Sequence, residues 1–121
     1  MNPMADERRW KQLRHQYAEG WGEEPLLVPM VKLLDWIDTQ EFASQLYAHT
    51  SMMSLCVTQK PGYQLDGPSF SCKVRHHDGM IEFTAWRKPG EAISNVTATP
   101  ERICDTFAAF ANRLMMSANQ R

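Results

Sequence analysis

The chain has 121 residues, 43% of them hydrophobic, with 13 basic and 14 acidic side chains and a formal net charge of -1. That length and apolar content fit one domain, residues 1–121, with its own core and no need of disulfides. So balanced a charge provides no field of the kind that drives non-specific nucleic-acid or anionic-membrane binding, and neither partner is expected.

Cys56, Cys72 and Cys104 are odd in number, far apart and set among apolar or small residues, the pattern of buried free thiols in a reducing compartment. A cytoplasmic location follows as the expectation. The opening MNPMADERRWKQLRHQ is charged where a signal peptide needs an apolar core, and the apolar runs are far too short to span a bilayer. The Asn95-Val96-Thr97 sequon matters only in a secreted chain.

In chain order, Asp6 to Glu19 favours a helix with Trp10, Leu13 and Tyr17 on one narrow stripe and Gly20 as its stop. Residues 1–24 are set apart as a loosely attached N-terminal helix. GWGEEP breaks the chain, and a helical pattern resumes through Met30, Leu33, Leu34 and Ile37. Asp38 and Glu41 have capping-box spacing, which restarts a helix with Phe42, Leu46 and Tyr47 inward. The pattern is compatible with one kinked helix over residues 30–47 or with two.

Beyond His49 the period changes from helical to alternating: Met53, Leu55 and Val57 face one way, Ser54, Cys56 and Thr58 the other. Further runs place Phe70, Cys72, Val74 and His76 inward, then Ile81, Phe83 and Ala85. A last strand is expected over Ala92 to Thr97. Thr99 is a good N-cap, Pro100 suits the first helical position, and Ile103, Phe107, Phe110, Ala111 and Leu114 form a wide apolar face. The fold class is therefore α+β: a three- to four-stranded antiparallel meander, with N-terminal helices and a C-terminal amphipathic helix packed on one face.

The segment KVRHHDGMIEF raises the question of a metal or acid–base site. Asp78-Gly79 between two alternating runs is a strong hairpin signal, because a two-residue type I′ turn needs positive φ at both positions. That turn sets His77 opposite Met80, His76 opposite Ile81, Val74 opposite Phe83 and Cys72 opposite Ala85, with Arg75 facing Glu82. Adjacent strand residues point to opposite faces, so His76 and His77 do not converge on one ion. Cys72 or Cys56 with His49 would be the remaining zinc candidates, but CxxC, HxxxH and HExxH spacings are absent, and neither metal nor cofactor is expected. His76, at the sheet end of the inward face, is the one weak catalytic candidate. Nucleotide-binding glycine loops and the GxSxG elbow are missing as well.

The other candidate is a surface. If KPGE closes a hairpin with Arg87 opposite Ala92, Trp86 faces Ile93 on the sheet side the helices leave open, with Ser71 flanking it. An aromatic beside an isoleucine on a polar face suits an interaction anchor, covered either by a second chain or by the N-terminal segment. The chain thus reads as a small cytosolic, non-catalytic binding or adaptor domain, a homodimer or the binder of another protein, using Trp86 and Ile93. The alternative is a small enzyme or small-molecule-binding domain with a cleft between sheet and helices near His76, where His49 and Tyr63 would be neighbours.

Overall fold

The computed structural model describes residues 4–20, 27–51, 53–59, 67–88 and 90–119. Three α-helices, α1 (Met4–His15), α2 (Val28–Ile37) and α3 (Ile103–Asn119), accompany five strands: β1 (Tyr47–Ser51), β2 (Ser54–Thr58), β3 (Ser69–Val74), β4 (Ile81–Lys88) and β5 (Glu91–Ala98). The strands form one antiparallel sheet in sequence order, so the class is α+β with five strands, where three to four were expected.

α1 runs into a π turn, Gln16–Gly20, and its stripe is buried: Trp10, Leu13 and Tyr17 are 2%, 6% and 1% exposed. Two polar tips fix it there. The Trp10 indole Nε1 donates to the Ala43 carbonyl at 2.9 Å, and the Tyr17 hydroxyl donates to the Met53 carbonyl at 2.8 Å. Residues 10–17, expected to attach loosely, are instead seated in the core, because a narrow stripe with two aromatics buries as much surface as a wide aliphatic one. The carbonyl that Tyr17 reaches belongs to the tight β1–β2 connection, where Met53 has φ +69°, a sparsely populated conformation for a non-glycine residue.

α2 carries Pro29 in its first turn and buries Met30, Leu33, Leu34 and Ile37. The capping box does not form. Asp38 closes α2, its N–H donating to the Leu34 carbonyl at 3.1 Å, and only a short 3-10 turn, Glu41–Gln45, follows. The chain then enters β1, where a helix was expected. Leu46 and Ala48 are buried while Tyr47, His49 and Thr50 are half-buried, an alternation that a helical reading of Phe42, Leu46 and Tyr47 had absorbed.

The β3–β4 hairpin departs from the expected register by two residues. Val74 pairs with Ile81, Cys72 with Phe83 and Phe70 with Ala85, while Lys73 pairs with Glu82. A shift of two preserves the faces, so every residue of β3 and β4 expected inward stays inward. Its cause is a four-residue loop, 76–79, where a two-residue turn was expected. The Gly79 N–H donates to the Arg75 carbonyl and the Arg75 N–H to the Met80 carbonyl, both at 2.8 Å, with Gly79 at φ +72°. Asp78 completes the loop by accepting from the Met80 N–H at 3.0 Å and from the Arg75 guanidinium.

All three helices lie on one face of the sheet. The core joins Trp10, Leu13 and Tyr17 of the front segment to Leu55, Val57, Phe70, Cys72, Ile81 and Phe83 of the strands and to Ile103, Phe107, Phe110, Ala111 and Leu114 of α3. A chain of rings runs through it. Phe107 meets Phe42, Trp36 and Phe70 at centroid distances of 6.0, 6.5 and 5.1 Å, and Phe110 meets Phe70 and Phe83 at 5.7 and 5.3 Å. Thr99 takes the N-cap position with extended backbone, but its side chain makes no capping hydrogen bond; Pro100 occupies the first turn as expected.

Candidate binding surface

The hairpin loop determines what the histidines can do. His76 and His77 are both exposed and belong to the loop, so His76 is no strand residue at the rim of the inward face; the two-residue register shift removes it from that position. Both histidines line one shallow depression of about 340 Å³, together with Met53, Lys73, Val74, Arg75 and Glu82. His49 lies on the outward face of β1, paired with Cys56 on β2, and the depression beside His76 is not lined by it. Tyr63 falls outside the described residues. The Arg75 guanidinium, with the Met80 N–H, holds the Asp78 carboxyl below its ordinary range, which is the signature of a tied-down loop.

The thiols are set by burial. Cys72, fully buried among apolar side chains, has its ionisation pushed far up by loss of solvent, and Cys56 and Cys104 shift in the same direction for the same first cause. Each is thereby a poorer nucleophile than a free thiol. Among the described residues no group of three or more His, Cys, Asp or Glu side chains is placed to hold a metal ion. No helix among them is long and apolar enough to cross a membrane.

The region of Trp86 and Ile93 is organised differently from the expected side-by-side pair. Either side of it the register is the expected one, with Thr84 opposite Asn95 and Lys88 opposite Glu91, but Trp86 lies opposite Ala92 and Ile93 is the extra residue of a β-bulge. Trp86 is half-buried on the outward face, and its indole Nε1 donates to the Ser71 hydroxyl at 3.1 Å, so the expected flanking by Ser71 does hold. Ile93 is 58% exposed, and although the bulge takes it out of cross-strand register with Trp86, both line one pocket with Phe110, Leu114 and Met116 of α3.

β5 is the last strand and has no neighbour on its outer side among the described residues. α3 packs over β3 and β4, and at its flank Val96 of β5 is 42% exposed although it pairs with the fully buried Phe83. Two depressions follow the seam between β5 and α3 and share Phe110 and Arg113: one of about 280 Å³ at the Ile93 end and one of about 520 Å³ at the Val96–Ala98 end. Ile93, Val96 and Met116 are three of the four large apolar side chains found exposed among the described residues. Of these, Ile93 is the one that stood out on its strand; Val96 carried no signal because its inward parity predicts burial.

The ends of this seam differ in charge. At the β4–β5 turn, Arg87 and Lys88 flank Glu91 at 3.3 and 3.6 Å; at the start of α3, Glu101 and Asp105 flank Arg102. No protein-family model, curated protein or solved structure matches the chain.

Proposed function

We propose that this chain is a non-catalytic binding domain that self-associates through the free edge of β5, two copies joining their sheets about a two-fold axis. The observation that supports it best is the edge itself: eight residues, Glu91–Ala98, with one charge at the extreme end and exposed Ile93 and Val96. Natural edges of this length are protected by lysine, proline or a covering element, and here a bulge at Ile93 protects only the first half. Asn95 to Ala98 remain regular and open.

Charge favours a second copy as the occupant. Antiparallel pairing of two β5 strands sets the turn bearing Arg87 and Lys88 against the partner's α3 start bearing Glu101 and Asp105, and the two-fold repeats this at the other end. The Val96–Ala98 end of the seam between β5 and α3 would be closed by the same contact, while the bulged Ile93 end stays open. The free thiols Cys56, Cys72 and Cys104 fit work in a reducing compartment such as the cytosol.

Light scattering tests the reading. Wild-type protein is expected to have twice the chain mass, and Val96→Lys, a charge of the kind that blunts edges, to have the chain mass with an unchanged circular-dichroism spectrum. High salt should weaken the wild-type dimer by screening the paired ends. A wild type that stays monomeric at high concentration refutes it.

A further inference from the structure

The pocket at the bulged end of β5 contains an arrangement that self-association does not use. Its floor is apolar, built from Phe70, Phe110 and Leu114, all buried, together with half-buried Ala85. Ser94 lines it, and the Ser94 hydroxyl is buried with no hydrogen-bond partner in the structure. Buried hydroxyls almost always have a partner, so an orphan within a pocket asks for a ligand atom. Arg113 lines the pocket from α3, exposed, with no ion pair among the described residues.

We propose that this pocket binds a small organic acid with an apolar body, its carboxylate held by Arg113 and Ser94 and its hydrocarbon part against Phe70, Phe110 and Leu114. A guanidinium offers a carboxylate two parallel N–H donors, and a neighbouring hydroxyl adds a third. One cation without a cluster of backbone N–H groups suits a single negative charge and not a phosphate. The volume of about 280 Å³ lies just below the ~300–1,000 Å³ typical of drug-sized ligands, which limits the acid to a short aliphatic or single-ring body. The bulge at Ile93 turns this end of the strand away from regular pairing, and bulges commonly stand beside binding sites.

The test is titration of the full chain with octanoate, 4-phenylbutyrate and the amides of both, followed by calorimetry and amide NMR shifts. Both acids are expected to bind and to shift the amides of Ile93, Ser94, Phe110 and Arg113, with each acid preferred over its amide by about tenfold, the least that a charge-assisted hydrogen bond supplies. Arg113→Gln should erase the preference for acid over amide while leaving the spectrum of the rest of the chain in place, and Ser94→Ala should weaken the acids. Val96→Lys should bind like wild type, which separates this site from the dimer contact. No binding of either acid, equal binding of acid and amide, a preference that survives Arg113→Gln, or binding lost in Val96→Lys would each overturn the assignment.

Discussion

The Tyr17 hydroxyl ties the front segment to the β1–β2 turn, and Tyr17→Phe removes that hydrogen bond while keeping the ring. The ring is 1% exposed and its hydroxyl donates to the Met53 carbonyl at 2.8 Å, in a turn where Met53 holds φ +69°. Burial pushes the phenol's ionisation upward, so the group is neutral and a donor throughout the physiological range. Removing it deletes the bond and leaves a carbonyl short of a partner, a loss of about 1–2 kcal/mol. Unfolding entropy near 60 °C scales as ~2.1 cal/mol/K per residue, or about 0.25 kcal/mol/K for 121 residues, so this corresponds to a Tm lower by roughly 4–8 °C. Tyr17→Ala also removes a core ring and should cost about 3–5 kcal/mol. Paired thermal and urea denaturation of the two variants reads both values. If both fall within ~0.5 kcal/mol of wild type, the range of an ordinary surface substitution, α1 and its π turn are not docked as described.

Three further expectations are independent of the first. Gly79→Val places a β-branched residue at φ +72° and should destabilise the chain by about 1–3 kcal/mol, with His77→Gln near neutral; urea unfolding of both decides, and equal effects would contradict the loop geometry. Cys72 should resist a thiol reagent until the chain unfolds, while Cys56 and Cys104, half-buried, should react more slowly than a free thiol; rapid native labelling of Cys72 would mean the sheet face beneath α3 is open. Asp78 is lowered in the folded state, so its contribution to the hairpin is fully present above its unfolded value near ~3.9 and is lost as pH falls through the lower folded value. The Met80 amide shift, which reports the Asp78 contact, should titrate below that value, and a midpoint at or above it would break the assignment.

What the sequence made legible was whatever depends on parity and periodicity. The five α3 residues named as its apolar face are all buried, and alternation placed Phe70, Cys72, Val74, Ile81 and Phe83 inward even though the turn between β3 and β4 was mis-sized. Period-two patterns survive a register error of two, which is why the faces were right while the loop was wrong. β1 was missed because one buried alanine and one leucine in LYAHTS fit a helix as well as a strand, and only pairing with β2 distinguishes them. The candidate surface was half legible. Ile93 stood out as apolar on a polar strand, but the bulge that parts it from Trp86 leaves no mark in a sequence of unexceptional residues. Val96 is 42% exposed at the flank of α3, a fact of tertiary placement that strand alternation cannot express.

Pairing of two copies at β5 is open to direct observation in isotope-filtered NOE spectra of a mixed sample, half of it labelled with 13C and 15N. Backbone cross-peaks between labelled and unlabelled chains are expected among Asn95, Val96, Thr97 and Ala98, with an antiparallel pattern symmetric about one point of the strand. They should vanish in Val96→Lys. Intermolecular cross-peaks confined to the outward face around Trp86, or none at all in a concentrated wild-type sample, would contradict edge pairing.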